Sequence, residues 1–135
     1  MKKFTISTVL PASAEEIFKA WLSSKTHSAM TGSTAVFKKD GSFTAWDGYI
    51  EGKTLETIKN KQIVFAWRTS EFPETSADSR VAIFLDETNG KTKVTLTHSE
   101  MPEGQEEGYQ KGWEEFYFRP MKEYFTKYGS YTRVN

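Results

Sequence analysis

Tyr109-Gln-Lys-Gly-Trp-Glu-Glu-Phe-Tyr-Phe-Arg-Pro-Met-Lys-Glu-Tyr-Phe-Thr-Lys-Tyr128 is the stretch that decides the fold. Tyr109, Trp113, Phe116, Tyr117, Met121, Tyr124 and Tyr128 recur at spacings of three and four, and Phe118 and Phe125 widen the stripe. Lys111, Glu114, Glu115, Arg119, Lys122, Glu123 and Lys127 take the remaining positions. That period predicts a helix over about 109–128 with one aromatic face to bury. Pro120 interrupts it: the ring lacks the amide that would bond the Phe116 carbonyl and clashes with the preceding turn, so a kink is expected between Phe116 and Pro120.

A helix with such a face needs a partner, and the upstream sequence supplies strands. Residues 3–10 place Phe4 and Ile6 on one face and stop at Pro11. Ser13-Ala-Glu-Glu16 reads as a capping box, and Ile17, Phe18, Trp21 and Leu22 follow at helical spacing, giving a helix over about 14–24. Residues 25–32 read as a short helical turn or a loop. A meander follows: 35–38, an Asp40-Gly41 turn, 42–51, 54–59, an Asn60-Lys61 turn and 62–69, with Gly48 and Gly52 as points of bulge or bend. Residues 70–79 form a polar loop, and 80–86 and 93–99 flank the hairpin signal Asn89-Gly90. The expectation is one α+β domain over residues 1–135: a curved antiparallel sheet of six to seven strands, one or two short helices after the first strand, and a long C-terminal helix.

Bulk composition narrows the function. Eighteen basic residues balance 18 acidic ones, so no surplus positive field draws nucleic acid or anionic lipid, and neither is expected as a partner. Cysteine is absent, which excludes disulfides, thiolate nucleophiles and cysteine-ligated metals. No apolar run suits a signal core or a membrane span, and a cytoplasmic protein, monomeric or homodimeric, is expected. His27 and His98 form no ligand spacing, and Gly104, Gly108 and Gly112 precede a helix without a preceding strand, so neither a metal nor a phosphate-binding cofactor is expected. Gly112 reads as a close-packing position beside Trp113.

The chemistry that remains is aromatic, 15% of the chain. Trp46, Phe65, Trp67, Phe84, Leu96 and His98 on strands, with Trp113, Phe116, Tyr117 and Met121 on the helix, are the candidate lining of a pocket for a small apolar or aromatic ligand, His98 and Tyr117 serving as polar handles. The same side chains could instead fill that volume. His98, Asp47 and Glu51 are the candidates for acid/base work, and no catalytic set emerges from them. A third use is protein contact through an apolar rim at Phe72, Met30 and the kinked helix.

Several landmarks carry a resemblance in order: Leu10-Pro-Ala-Ser-Ala-Glu-Glu-Ile-Phe-Lys-Ala-Trp21, Gly41-Ser-Phe43, Gly48-Tyr-Ile-Glu-Gly52, Ile63-Val-Phe-Ala-Trp-Arg68, Thr92-Lys-Val-Thr-Leu-Thr-His-Ser99 and Gly112-Trp113. Together they resemble the homologues of the ATPase activator of the ninety-kilodalton heat-shock chaperone, a branch of the START-like, birch-pollen-allergen-like helix-grip superfamily. The resemblance implies the helix-grip fold and correspondence to the activator's C-terminal module, with no length left for its separate chaperone-binding module. It implies a binding domain for an apolar ligand or for a chaperone or client protein, or alternatively a cofactor-independent cyclase-like or hydrolase-like enzyme. Pro120, and Met30 where the family carries a tryptophan, depart from the pattern.

Overall fold

A computed structural model describes residues Lys2–Gly129. Met1 and residues 130–135, counted within the expected domain, lie outside the described residues. The order is β1 (Lys2–Leu10), α1 (Ala14–Leu22), α2 (Ser24–Thr31), β2 (Val36–Phe37), β3 (Ser42–Ala45), β4 (Ile50–Ile58), β5 (Gln62–Thr69), β6 (Ser79–Thr88), β7 (Lys91–Met101), α3 (Glu106–Trp113), a π-helical turn (Glu114–Phe118) and α4 (Arg119–Tyr128). Seven antiparallel strands run β1-β7-β6-β5-β4-β3-β2, so the first and last strands pair. The fold is α+β, as expected.

The α1 N-cap forms as its sequence dictates, with the Ser13 hydroxyl accepting the Glu16 amide at 3.1 Å. Residues 25–32 belong to a second helix, capped by Ser23 on Thr26 and closed by Gly32 in the left-handed conformation. The strand expected over 42–51 is two strands. Trp46, Asp47 and Gly48 all take positive φ (52°, 56° and 90°), and the Gly48 amide donates to the Ala45 carbonyl at 3.2 Å, reversing the chain. Gly52 therefore ends nothing: it sits inside β4, where a Cβ would overlap the Ala66 carbonyl oxygen and press on the Phe43 ring. The β4 irregularity falls at Leu55 instead.

The C-terminal helix adapts at the residue that threatened it. Arg119 N–H donates to Glu114 O, five residues back, so the wide turn lies directly before Pro120 and absorbs the break. The π turn also serves the buried stripe. Trp113, Tyr117, Met121 and Phe125 are four apart, and each such step in a regular α-helix overshoots a full turn by about 40°. A wider turn delays that drift, and all four side chains are buried. They meet Phe65, Trp67, Ile83 and Leu96 from the sheet and Ile17 and Trp21 from α1 in one core.

Candidate functional site

The expected pocket divides into three fates. Phe65, Trp67, Leu96, His98 and Met121 are buried and close the space between the helix and the middle strands. Phe84 points the other way, because Val81, Ile83 and Leu85 are the inward residues of β6; it is 41% exposed on the outer face, away from the helix. Trp46, Trp113, Phe116 and Tyr117 do come together, away from the middle of the sheet, at a cleft of about 390 Å³.

The β3–β4 turn and the start of β4 provide Trp46, Tyr49 and Ile50 as one wall. The face of α3 and the π turn provides Tyr109, Gly112, Trp113, Phe116 and Tyr117 as the other. Of these, Tyr49, Ile50, Tyr109 and Gly112 were not expected to line a site. The signal for the last two was available in the sequence, since 109, 112, 113 and 116 share one helical face. Gly112 does not serve close packing: a Cβ there would meet only the Phe116 ring, at 4.0 Å, and would protrude into open space. Trp46 reaches the cleft through its left-handed backbone, a conformation that costs a bulky residue about 1–2 kcal/mol. Its indole meets the Phe116 ring edge to face, with centroids 5.6 Å apart.

Behind the cleft the two histidines anchor its inner rings. The Trp113 indole N–H donates to His98 Nδ1 at 3.0 Å. An indole nitrogen only donates, so His98 Nδ1 is the acceptor and Nε2 carries the proton, which goes to Ser79 Oγ at 2.8 Å. Ser79 passes its own proton to the Trp67 carbonyl at 2.7 Å. Tyr117 repeats the logic one turn on. His27 Nδ1–H donates to the Trp21 carbonyl at 2.8 Å, which leaves Nε2 to accept the Tyr117 hydroxyl at 2.9 Å. The Tyr117 ring stacks on Trp21 with centroids 5.4 Å apart. Ser79, placed in the loop by its sequence, and His27, placed in a loop or turn, are thus buried members of the support.

Burial holds His98 neutral, lowering its pKa to about 3. Burial likewise lowers His27 to about 4 against the opposing pull of the Trp21 carbonyl. Burial raises the Tyr117 phenol, offset only in part by the adjacent Trp46 side chain. Asp47 and Glu51 are exposed and Phe72 and Met30 buried, so neither the acid/base set nor the expected apolar rim assembles. No group of three or more His, Cys, Asp or Glu side chains able to hold a metal occurs among the described residues. No helix among them is long and apolar enough to cross a membrane.

The cleft and the strand order can be set beside known proteins. The family model "Activator of Hsp90 ATPase homolog 1-like protein" matches residues 11–126. The chain belongs to this family. The human Activator of 90 kDa heat shock protein ATPase homolog 1 is 28% identical over 125 residues, 91% of this chain but 37% of that protein, so the chain spans little more than a third of that relative. The crystal structure of an Hsp90 activator from Plasmodium falciparum superposes with a TM-score of 0.84 at 24% identity, covering 93% of this chain and 96% of that one. The solution structure of an Aha1 dimer from Colwellia psychrerythraea has a TM-score of 0.68 at 18% identity, covering 91% and 95%. The seven-stranded sheet with its C-terminal helix is the helix-grip architecture of these neighbours.

Proposed function

We propose that this activator-family chain is a binding domain that holds the flat apolar part of a small aromatic ligand in the cleft between the β3–β4 turn and α3. One observation carries the reading. Six aromatic residues line the cleft, and their polar atoms are already engaged: Trp113 with His98, Tyr117 with His27, Tyr109 with Gln105, and Tyr49 with Glu71. The Trp46 indole remains, and it lies close enough to the Tyr117 hydroxyl to act on its ionisation. What the cleft presents is ring faces and edges, which favour a ligand with little to desolvate. Asp47 and Glu51 are exposed outside the cleft lining and both ring nitrogens of His98 are engaged, which supports binding over turnover.

The test is a thermal-shift screen of fused-ring aromatics against the chain and its Gly112→Leu variant. A ligand at a hundred times its Kd should stabilise the chain by about 2.7 kcal/mol. Gly112→Leu should abolish the shift, and a ligand that stabilises both proteins equally binds elsewhere.

Family membership favours a second reading, contact with a heat-shock chaperone or its client in the cytoplasm. Co-purification with the ninety-kilodalton chaperone, and sedimentation to distinguish a monomer from a homodimer, test it directly.

A further inference from the structure

A second cavity of about 440 Å³ adjoins the aromatic cleft, and Tyr49, Tyr109, Gly112 and Phe116 line both. A ligand that extends from the first past these four residues presents one end to the second. The outer cavity adds Glu71 and Gln105 together with Gly104 and Gly108, whose missing side chains keep it wide. A Cβ at either glycine would meet nothing within 4 Å. Among the residues lining the two cavities, Glu71 is the one formally charged side chain, in a chain with 18 lysines and arginines.

Glu71 is also held in place. Its backbone N–H donates to Thr69 Oγ1 at 3.1 Å, and its carbonyl accepts Gln105 Nε2 at 3.0 Å. Gln105 Oε1 in turn accepts the Tyr109 hydroxyl at 2.6 Å, and that hydroxyl is 2.6 Å from Thr69 Oγ1. The Tyr49 hydroxyl donates to Glu71 Oε2. One phenol donor leaves most of the carboxylate's acceptor capacity available. Burial and the Glu71 hydrogen bond push the Tyr49 phenol up to about 12, so it remains a neutral donor at neutral pH. Tyr49 and Tyr109 line the same cavity as the carboxylate, and tyrosine ring faces attract cations.

We infer, resting on the cleft reading above, that the ligand is an aromatic amine: its ring fills the cleft and its protonated nitrogen lies in the outer cavity, read by Glu71 between Tyr49 and Tyr109. An anionic end would face Glu71 with no lining lysine or arginine to balance it, and a neutral end would forgo the ion pair.

Three probes with one ring and different heads test this: 2-naphthylmethylamine, 2-naphthylmethanol and 2-naphthoic acid, titrated at pH 7 and followed by amide NMR shifts. Because Glu71 is exposed, the amine should bind only about five- to tenfold more tightly than the alcohol, and the acid more weakly than both. In Glu71→Gln the amine-to-alcohol ratio should fall toward one, and 0.5 M salt should shrink it in the unmodified chain. Equal binding of all three, or an amine preference that survives Glu71→Gln, overturns the amine assignment and leaves the cleft reading standing. If none of the three binds, the cleft reading fails and the amine assignment falls with it.

Discussion

The Trp113 indole and the His98 imidazole, 15 residues apart in sequence, meet through a single 3.0 Å hydrogen bond that fixes both the helix against the sheet and the tautomer of the histidine. His98 has no solvent exposure, so removing its partner leaves a buried ring nitrogen without a donor. Trp113→Phe should therefore cost about 1–3 kcal/mol beyond its lost packing, measured by urea denaturation. Replacing both partners by apolar groups removes the orphan, and Trp113→Phe with His98→Leu should cost less than the sum of the single changes. Additive costs would show that the bond contributes nothing.

Tyr117 and His27 form the second such pair, with one difference that makes it the cleaner probe. Tyr117→Phe keeps the ring stacked on Trp21 and deletes only the hydroxyl. A loss of about 1–3 kcal/mol is expected from the unsatisfied Nε2 of His27. A neutral result would mean that another donor reaches His27.

The helix and sheet could be read from sequence because their periods, 3.6 and 2, are written into the order of aromatic and polar residues. Phases were harder. A meander whose turns are not obvious glycine pairs hides its boundaries, and the turn at Trp46-Asp47 uses two non-glycine residues in a left-handed conformation that propensity disfavours. The run 42–51 consequently read as one strand, and Tyr49 and Ile50 were lost from the site. Phe84 went to the wrong face for a similar reason, since Ala82 and Phe84 carry enough apolar character to mask which alternate set of β6 faces in. The alternation of Val94, Leu96 and His98 is compatible with the inward direction that His98 takes. Its partners could not be read this way, because hydrogen bonds to Trp113 and Ser79 depend on how distant elements pack.

Two glycines should respond in opposite ways. Gly52→Ala drives a methyl group into the Ala66 carbonyl and the Phe43 ring, backbone and buried side chain with no room to yield, so a loss of about 3 kcal/mol or failure to fold is expected. Gly112→Ala meets only open space in a helix and should raise stability by up to about 1 kcal/mol. The same methyl group narrows the cleft, so the more stable variant should bind aromatic ligands more weakly. Chemical denaturation and ligand titration on one preparation check both halves.

Acid should destabilise this chain through its histidines. Both fold into sites that favour the neutral ring, with pKa values lowered from 6.5 to about 4 for His27 and about 3 for His98. An unfolded chain takes up both protons as the pH falls through the ordinary histidine value near 6.5, whereas the folded chain stays neutral until far lower. The stability these sites contribute is thus complete above about pH 6.5 and drains away as pH falls toward the folded values. Two protons correspond to a slope of about 3 kcal/mol per pH unit between roughly pH 6 and 4.5, a loss of about 4 kcal/mol over that window and a large share of an ordinary domain's stability. Carboxylates contribute little in that window, because their ordinary pKa values lie near 4. Urea midpoints measured from pH 7 to pH 4.5 should show this slope. In the variant lacking both Trp113 and His98 it should fall by half, since His27 alone then titrates. A flat profile between pH 7 and 5 would rule out two buried neutral histidines as the supports of the aromatic cleft.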